Sequence, residues 1–313
     1  MNILFMGTPE FAVPTLKTLI TSNHKVVGVF TQPDKPVGRK QILTPPPVKV
    51  CALEYNIPVF QPKSLKNGES ELIINDLSPD IIVVVAYGKI LPKSILDVPK
   101  YGCVNGHASL LPRHRGASPI QWSIVCGDKK TGVTTMLMGE GLDTGDMLSR
   151  QETEIGVDET AGELHDRLSQ ITAVLMLETI EKLEKGEIVP IVQDDSLSTY
   201  APIITKDMGF LKFDKTAEDI NNLIRGFSPW PNAYFYLNGK RIKVHKAKVS
   251  EKTDIEPATI IKADDEFIIS CADYSSISLI EIQPEGSKRM TAKDYLKGHS
   301  ICVGDRVNGD LIE

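Results

Sequence analysis

Short apolar runs separated by polar turns fill the first two-thirds of the chain. Asn2–Met6 is such a run, closed by Gly7-Thr8-Pro9. Phe11, Leu16, Leu19 and Ile20 fall on one side of a helix predicted over Phe11–Ile20, and Val26, Val27 and Val29 mark a second strand over Lys25–Phe30. Ile81–Ala86 is apolar at every position, as expected of a strand buried on both faces in a parallel sheet. Further strands are predicted at Gly102–Val104 and Gly132–Met138. Between Thr160 and Lys185, the residues Leu164, Leu168, Ile171, Leu175, Ile180 and Leu183 recur at helical spacing, and Thr160 with Glu163 forms a capping box. Alternating strands and helices predict an α/β fold with a doubly wound, Rossmann-like parallel sheet.

The pattern changes after Gln193. Asp194–Pro202 is polar and turn-rich and reads as a linker. One short helix, Thr216–Arg225, is followed by β runs at Tyr234–Leu237, Arg241–Val249, Ala258–Ile261, Phe267–Ser270 and Ser276–Ile282. Asn238-Gly239 between the first two runs is a hairpin signal. A smaller OB-like β-barrel is expected here. The chain is thus divided into a first domain over 1–193, a linker over 194–207 and a second domain over 208–313. Its 313 residues independently exceed one ordinary core.

Composition is that of an ordinary globular protein, 41% hydrophobic and 24% charged. A formal net charge of −6 argues against a protein coated in basic residues. It leaves a nucleic-acid partner open, because binding depends on where Lys and Arg cluster. Cys51, Cys103, Cys126, Cys271 and Cys302 are scattered without C-x-x-C spacing, which fits reduced thiols in a cytosolic protein and predicts no structural zinc. The N-terminus lacks a basic n-region, so its apolar run is expected to be a buried strand and not a signal peptide. No apolar run approaches the ~20 residues that a membrane span needs.

The candidate chemistry lies in Asn105-Gly106-His107 and in the turn Gly141-Leu142-Asp143-Thr144-Gly145. A carboxamide donor, a titratable base and an orienting carboxylate suffice for acyl transfer without a covalent nucleophile. The bland alternatives are a turn-capping Asn105, a satisfied core His107 and an Asx turn at Asp143. Leu110-Leu111-Pro112 either walls a flat aromatic cofactor or packs over the sheet edge. Gly7-Thr8-Pro9 lacks the G-x-G-x-x-G fingerprint, which speaks against an NAD-dependent oxidoreductase. The long Thr31–Lys40 insertion carries Lys35, Arg39 and Lys40, suited to phosphate contacts or simply solvated. In Lys240–Lys248 the alternation turns Arg241, Lys243 and His245 outward, as a stripe for an RNA backbone or as an ordinary charged edge.

Nearly end to end, the chain resembles the methionyl-tRNA formyltransferases within the folate-dependent formyltransferase family. The resemblance rests on Gly7–Phe11, Thr31–Arg39, Ala86–Pro92, Asn105–Pro112, Arg115–Gln121, Glu140–Asp146 and Phe227–Ala233. It implies formyl transfer from 10-formyltetrahydrofolate to the α-amino group of methionyl-initiator tRNA, for translation initiation, in a cytoplasmic monomer that needs no metal and no membrane. Asn105 would then donate to the formyl oxygen. His107 would accept the amine proton or stabilise the intermediate as imidazolium. Asp143 would orient His107 or a water. Ser109, Leu110, Leu111 and Pro112, with Tyr87, Gly88, Ile90, Leu91 and Pro92, would frame the folate. Lys35, Arg39 and Lys40 would meet the tRNA acceptor end, and Arg241 and Lys243 the RNA backbone. An amino-sugar nucleotide or a purine precursor is the alternative acceptor. A formylfolate hydrolase and a non-catalytic RNA-binding protein are the further readings. Two departures stand out. Gly106 replaces a bulky aliphatic residue and is expected to loosen the strand end, and Phe210–Phe213 replaces a segment with an Asp-Trp pair.

Overall fold

The N-terminal apolar run forms β1 (Asn2–Gly7), buried from Ile3 onward, and it is an interior strand of a seven-stranded sheet. The computed structural model describes residues 1–38 and 40–309. After β1 come β2 (Lys25–Phe30), a hairpin of β3 (Lys35–Val37) and β4 (Ile42–Thr44), then β5 (Val59–Phe60), β6 (Ile81–Val85) and β7 (Cys103–His107). The short β8 (Arg115–Gly116), β9 (Lys130–Leu137), β10 (Met147–Glu154) and β11 (Tyr200–Ala201) follow. Sheet order is β10-β9-β7-β6-β1-β2-β5, parallel from β7 to β5, with β9 and β10 added antiparallel. The chain winds outward from β1 through β2 to β5, then returns to β6 on the other side of β1. That reversal places a topological switch point between β1 and β6, where ligands of such sheets bind at the carboxyl ends.

Contacts group the chain into two compact units. The first holds Met1–Pro119, Lys130–Glu154 and His165–Ala201, and the second holds Ile120–Lys129, Ile155–Leu164 and the chain from Pro202 on. In the second unit, β12 (Ala233–Leu237), β13 (Lys240–Val249), β14 (Ile260–Ala263), β15 (Phe267–Ser270), β16 (Ser276–Pro284) and β17 (Met290–Thr291) form a curled antiparallel OB-like half-barrel. Burial alternates strictly along β12, so Ala233, Phe235 and Leu237 enter the core while Tyr234 and Tyr236 face outward. Asn238 and Gly239 both have positive φ, 50° and 70°, the backbone a two-residue hairpin needs. The departure at Phe210–Phe213 is absorbed without loss. Leu211 and Phe213 are buried, and the Phe213 ring meets Phe235 edge-on at 5.9 Å. Among the described residues no helix is long and apolar enough to cross a membrane.

The helix Ala161–Lys185 begins as the capping box predicts, with Glu163 N–H donating to Thr160 Oγ1 at 3.3 Å and Thr160 N–H to Glu163 Oε2 at 2.9 Å. Further along, it covers Gly106. The expectation of a loosened strand end is corrected by the packing. Gly106 lies inside β7 in register with Thr135, and a Cβ there would come within 2.8 Å of Thr172 Cγ2 and 3.3 Å of Met176 Cε. The helix side chains already occupy the volume of the missing residue. Gly106→Val should therefore overpack this layer and cost about 1–3 kcal/mol, read as a lower denaturant midpoint at unchanged slope. An unchanged or raised midpoint would show that the strand end was underpacked after all.

Candidate active site

Asn105 and His107 do not follow β7, as expected from sequence, but form its last turn of the pleat: the strand runs through to His107. Paired between β6 and β9, alternate residues point the same way, so Asn105 and His107 share one face and Gly106 takes the other. The Asn105 side chain is half-buried, and among the described residues its carboxamide has no hydrogen-bond partner. Its donors are available to a ligand.

His107 is 6% exposed, and its Nε2 lies 2.9 Å from the His114 carbonyl oxygen. A carbonyl only accepts, so Nε2 carries the proton and donates. The loop after β7 is folded to deliver that carbonyl. Ser109 Oγ donates to Arg113 O at 2.6 Å, and Arg113 N–H to Leu110 O at 3.1 Å. Thr134 Oγ1 donates to Ser109 O at 2.7 Å and accepts from Leu111 N–H at 3.1 Å. His114 itself has a left-handed φ of 59°, which turns its carbonyl back toward the strand.

The other ring nitrogen faces Asp143. Nδ1 is 3.7 Å from Asp143 Oδ2, beyond hydrogen-bonding distance, and both side chains are nearly buried. The same Oδ2 accepts from Gly116 N–H at 2.9 Å. Asp143 has a φ of 53°, and Gly145 sits so close to β9 that a Cβ would overlap the Leu137 carbonyl. That contact explains the glycine and holds the turn in place. Sequence reasoning missed Gln193, which is 7% exposed and donates to the carbonyls of Asp143 and Gly145 at 2.9 and 2.7 Å. Thr199, likewise missed, accepts from His114 N–H at 2.8 Å. No local sequence signal marks either one.

The expected folate-framing residues divide by burial. Ser109, Leu111, Tyr87 and Leu91 are buried, the last two inside the core with Met6 and Phe30. Leu110 and Pro112 are half-buried, as is Pro92, while Gly88 and Ile90 are exposed. The Tyr87 hydroxyl is buried with no partner among the described residues, and burial pushes its pKa up to about 12. Thr8 Oγ1 and Gln32 Nε2 each donate to Tyr87 O at 3.1 Å, tying the loop after β6 to the ends of β1 and β2.

The Thr31–Lys40 insertion is part of a β3–β4 hairpin. Lys35 and Lys40 are exposed, as are the apolar Val37, Ile42 and Leu43; Arg39 lies outside the described residues. At the base, Lys49 Nζ donates to both Asp34 oxygens at 2.9 Å and to Gln61 Oε1 at 2.8 Å, and Gln61 Nε2 donates to Asp34 Oδ1 at 2.8 Å. Gln61 and Lys49 together hold the Asp34 carboxyl below the usual carboxylate range. In the second unit, Arg241 is exposed and sits over the Tyr234 ring at 5.6 Å, while Lys243 is half-buried opposite Tyr234 in the register. Burial lowers the pKa of the neighbouring His245.

Residues 1–180 match the family described as Formyl transferase, and residues 203–300 match Formyl transferase, C-terminal domain. The chain belongs to the formyltransferase family. It is 52% identical over 306 residues to the methionyl-tRNA formyltransferase of Alkaliphilus oremlandii (strain OhILAs), covering 97% of this chain and 99% of that relative. A methionyl-tRNA formyltransferase of Citrifermentans bemidjiense is 49% identical over 304 residues, with 97% and 95% covered. Among solved structures, the sugar 3N-formyl transferase WlaRD, determined with dTDP and 5-N-formyl-THF, shares the fold at a TM-score of 0.69 and 20% identity, covering 92% of this chain and 99% of that one. Among the described residues of this formyltransferase, no group of three or more His, Cys, Asp or Glu is placed to hold a metal ion.

The hairpin has no core of its own, so its root depends on the Asp34–Lys49–Gln61 cluster. Lys49→Met should make trypsin cut several-fold faster after Lys40 while the thermal midpoint stays close to that of the parent. Equal cutting rates would mean that the cluster does not hold the hairpin.

Proposed function

We propose that this formyltransferase moves the formyl group of 10-formyltetrahydrofolate to the α-amino group of methionyl-initiator tRNA, for translation initiation. The observation that carries the chemistry is the unpartnered Asn105 carboxamide beside a His107 whose Nε2 is held by the His114 carbonyl and whose Nδ1 faces Asp143. The acceptor is supported by relatives about half identical over almost the whole chain and named methionyl-tRNA formyltransferase.

In this reading the amine attacks the formyl carbon, and negative charge grows on the formyl oxygen. Asn105 Nδ2 donates to that oxygen, where a hydrogen bond strengthens as the charge develops. The amine must lose a proton. His107 Nε2 already carries one, so the proton goes to Nδ1, the nitrogen facing the Asp143 carboxylate. The tetrahedral intermediate then collapses: the formyl carbon–N10 bond breaks, the proton held at Nδ1 passes to N10, and tetrahydrofolate leaves without any covalent bond to the protein. Leu110, Pro112, Gly88 and Ile90 present the accessible surface for the folate, and the buried Ser109, Leu111, Tyr87 and Leu91 support it from behind. Lys35, Arg39 and Lys40 engage the acceptor end. Arg241 and Lys243 hold the RNA backbone, with the catalytic part in residues 1–193 and the RNA-holding part in 208–313. The protein acts as a cytoplasmic monomer.

The decisive assay supplies 10-formyltetrahydrofolate with methionyl-initiator tRNA, elongator methionyl-tRNA, an amino-sugar nucleotide or water alone. Selective formylation of the initiator is expected, and formylation of the sugar in its place would overturn the acceptor. Asn105→Ala should lower kcat by roughly 10²–10³-fold with the KM values little changed, the usual consequence of deleting one such donor. A variant with parental kcat would remove Asn105 from the mechanism.

A further inference from the structure

The stretch that reads as a linker from Asp194, together with the residues just before it, is fastened at several points to the loops around His107 and Asp143. Ile191 bridges Met147 through two backbone hydrogen bonds of 2.8 Å. β11 pairs in parallel with β8, Arg115 N–H donates to Thr199 O at 2.9 Å, and Ser118 N–H donates to Ala201 O at 3.3 Å. A solvated connection would leave these backbone groups to water.

Two side chains of the stretch act on the partners of the His107 ring. Thr199 Oγ1 accepts from His114 N–H at 2.8 Å, and His114 O accepts from His107 Nε2. His114 is a buried non-glycine residue with a left-handed φ, a conformation that persists only where surroundings hold it. Gln193 acts on the other side. Its Nε2 donates to Asp143 O and Gly145 O, in the turn that aims Asp143 at His107 Nδ1. Its Oε1 accepts from Arg115 Nε at 3.0 Å and Nη2 at 2.9 Å, and Arg115 Nη2 also donates to Asp195 Oδ1 at 2.8 Å. Both donors and both acceptor sites of the amide are thus used, and only one orientation of the amide satisfies them.

We propose that Gln193 and Thr199 are positioning residues of the active site: Thr199 sets the carbonyl that fixes His107 Nε2, and Gln193 sets the carboxylate that faces Nδ1. Residues 191–201 are then a strap over the catalytic loops. The inference rests on the catalytic roles proposed above for His107 and Asp143.

Four variants test it: Gln193→Leu, Gln193→Glu, Thr199→Val and Thr199→Ser. Leucine removes every polar contact of Gln193. Glutamate keeps an acceptor for Arg115 but turns an oxygen toward two carbonyls. Valine keeps the shape of Thr199 without the acceptor, and serine keeps the acceptor. Gln193→Leu, Gln193→Glu and Thr199→Val should each lower kcat roughly 10- to 100-fold with both KM values within about threefold, the scale of losing a supporting contact or misplacing a reacting group by about 1 Å. Thr199→Ser should stay within about threefold of the parent in kcat. Parental kcat in Gln193→Leu and Thr199→Val, a change in KM alone, or an equal loss from the serine and valine variants would each overturn the strap.

A second readout is independent of turnover. The His107 Nε2–H proton, buried and donating to a carbonyl, should give a slowly exchanging NMR signal that Thr199→Ser keeps and Thr199→Val loses. The same signal in both variants would overturn the Thr199 assignment. A parent protein inactive with every acceptor, yet showing this pattern, would sink the proposed function and leave the strap standing.

Discussion

A single imidazole held from two directions organises the first unit. His107 is buried, and a buried ring nitrogen left without a partner costs about 1–3 kcal/mol. The His114 carbonyl supplies the partner for Nε2, but only because the chain from Ser109 to His114 turns back on itself through its own hydrogen bonds and through Thr134. Once Nε2 is committed as donor, Nδ1 is the only nitrogen free to exchange a proton, and Asp143 lies on that side. The orientation of one side chain therefore dictates the loop after β7, the positive φ at His114 and at Asp143, and the glycine at 145.

The parallel sheet makes this precision attainable. β6 is buried at every position, and β1 from Ile3 on, so neither strand can slip without turning apolar side chains to water. Polar residues collect where the strands end: Thr8 after β1, Gln32 after β2, and Asn105 and His107 at the end of β7. Thr8 and Gln32 fasten the loop after β6 across the switch point. A rigid, apolar body with its polar groups confined to one edge holds reacting groups better than a loop alone would.

Much of this was legible in the residues, and the failures have physical causes. β6 announced itself by an unbroken apolar run, the β12–β13 hairpin by Asn238-Gly239, and the long helix by its period and capping box. Asn105, His107 and Asp143 could be picked out as candidates because their residue types and flanking glycines mark them locally, and the fold brings His107 and Asp143 together. β10 was missed because it is an edge strand whose residues are mostly polar and half of them exposed, so no apolar alternation marks it. The β3–β4 hairpin was missed because its strands are exposed at every position and bury no face. Gly106 looked like a weakness because its compensation lies in Thr172 and Met176, more than sixty residues away in sequence. The burial of the Tyr87 and Leu91 side chains was not legible because a strand-end motif does not tell which of its side chains turn inward.

Gln193 and the start of the linker read from Asp194 show the limit most clearly, because composition there does not tell a solvated side chain from a matched one. Asp, Ser, Thr and Gln over a short stretch suggest solvation, since each of these side chains is stable in water. Each is also a hydrogen-bonding group that can be matched inside a protein, and only the fold decides which occurs. Gln193 is nearly buried with all its hydrogen-bonding positions filled, whereas Asp194 and Asp195 beside it remain exposed. A satisfied buried amide gains little net stability over water, because it exchanges one set of hydrogen bonds for another. Its directional bonds fix geometry, and a half-satisfied version would be costly. The stretch is therefore better understood as a set of geometric constraints on His114 and Asp143 than as a source of folding energy.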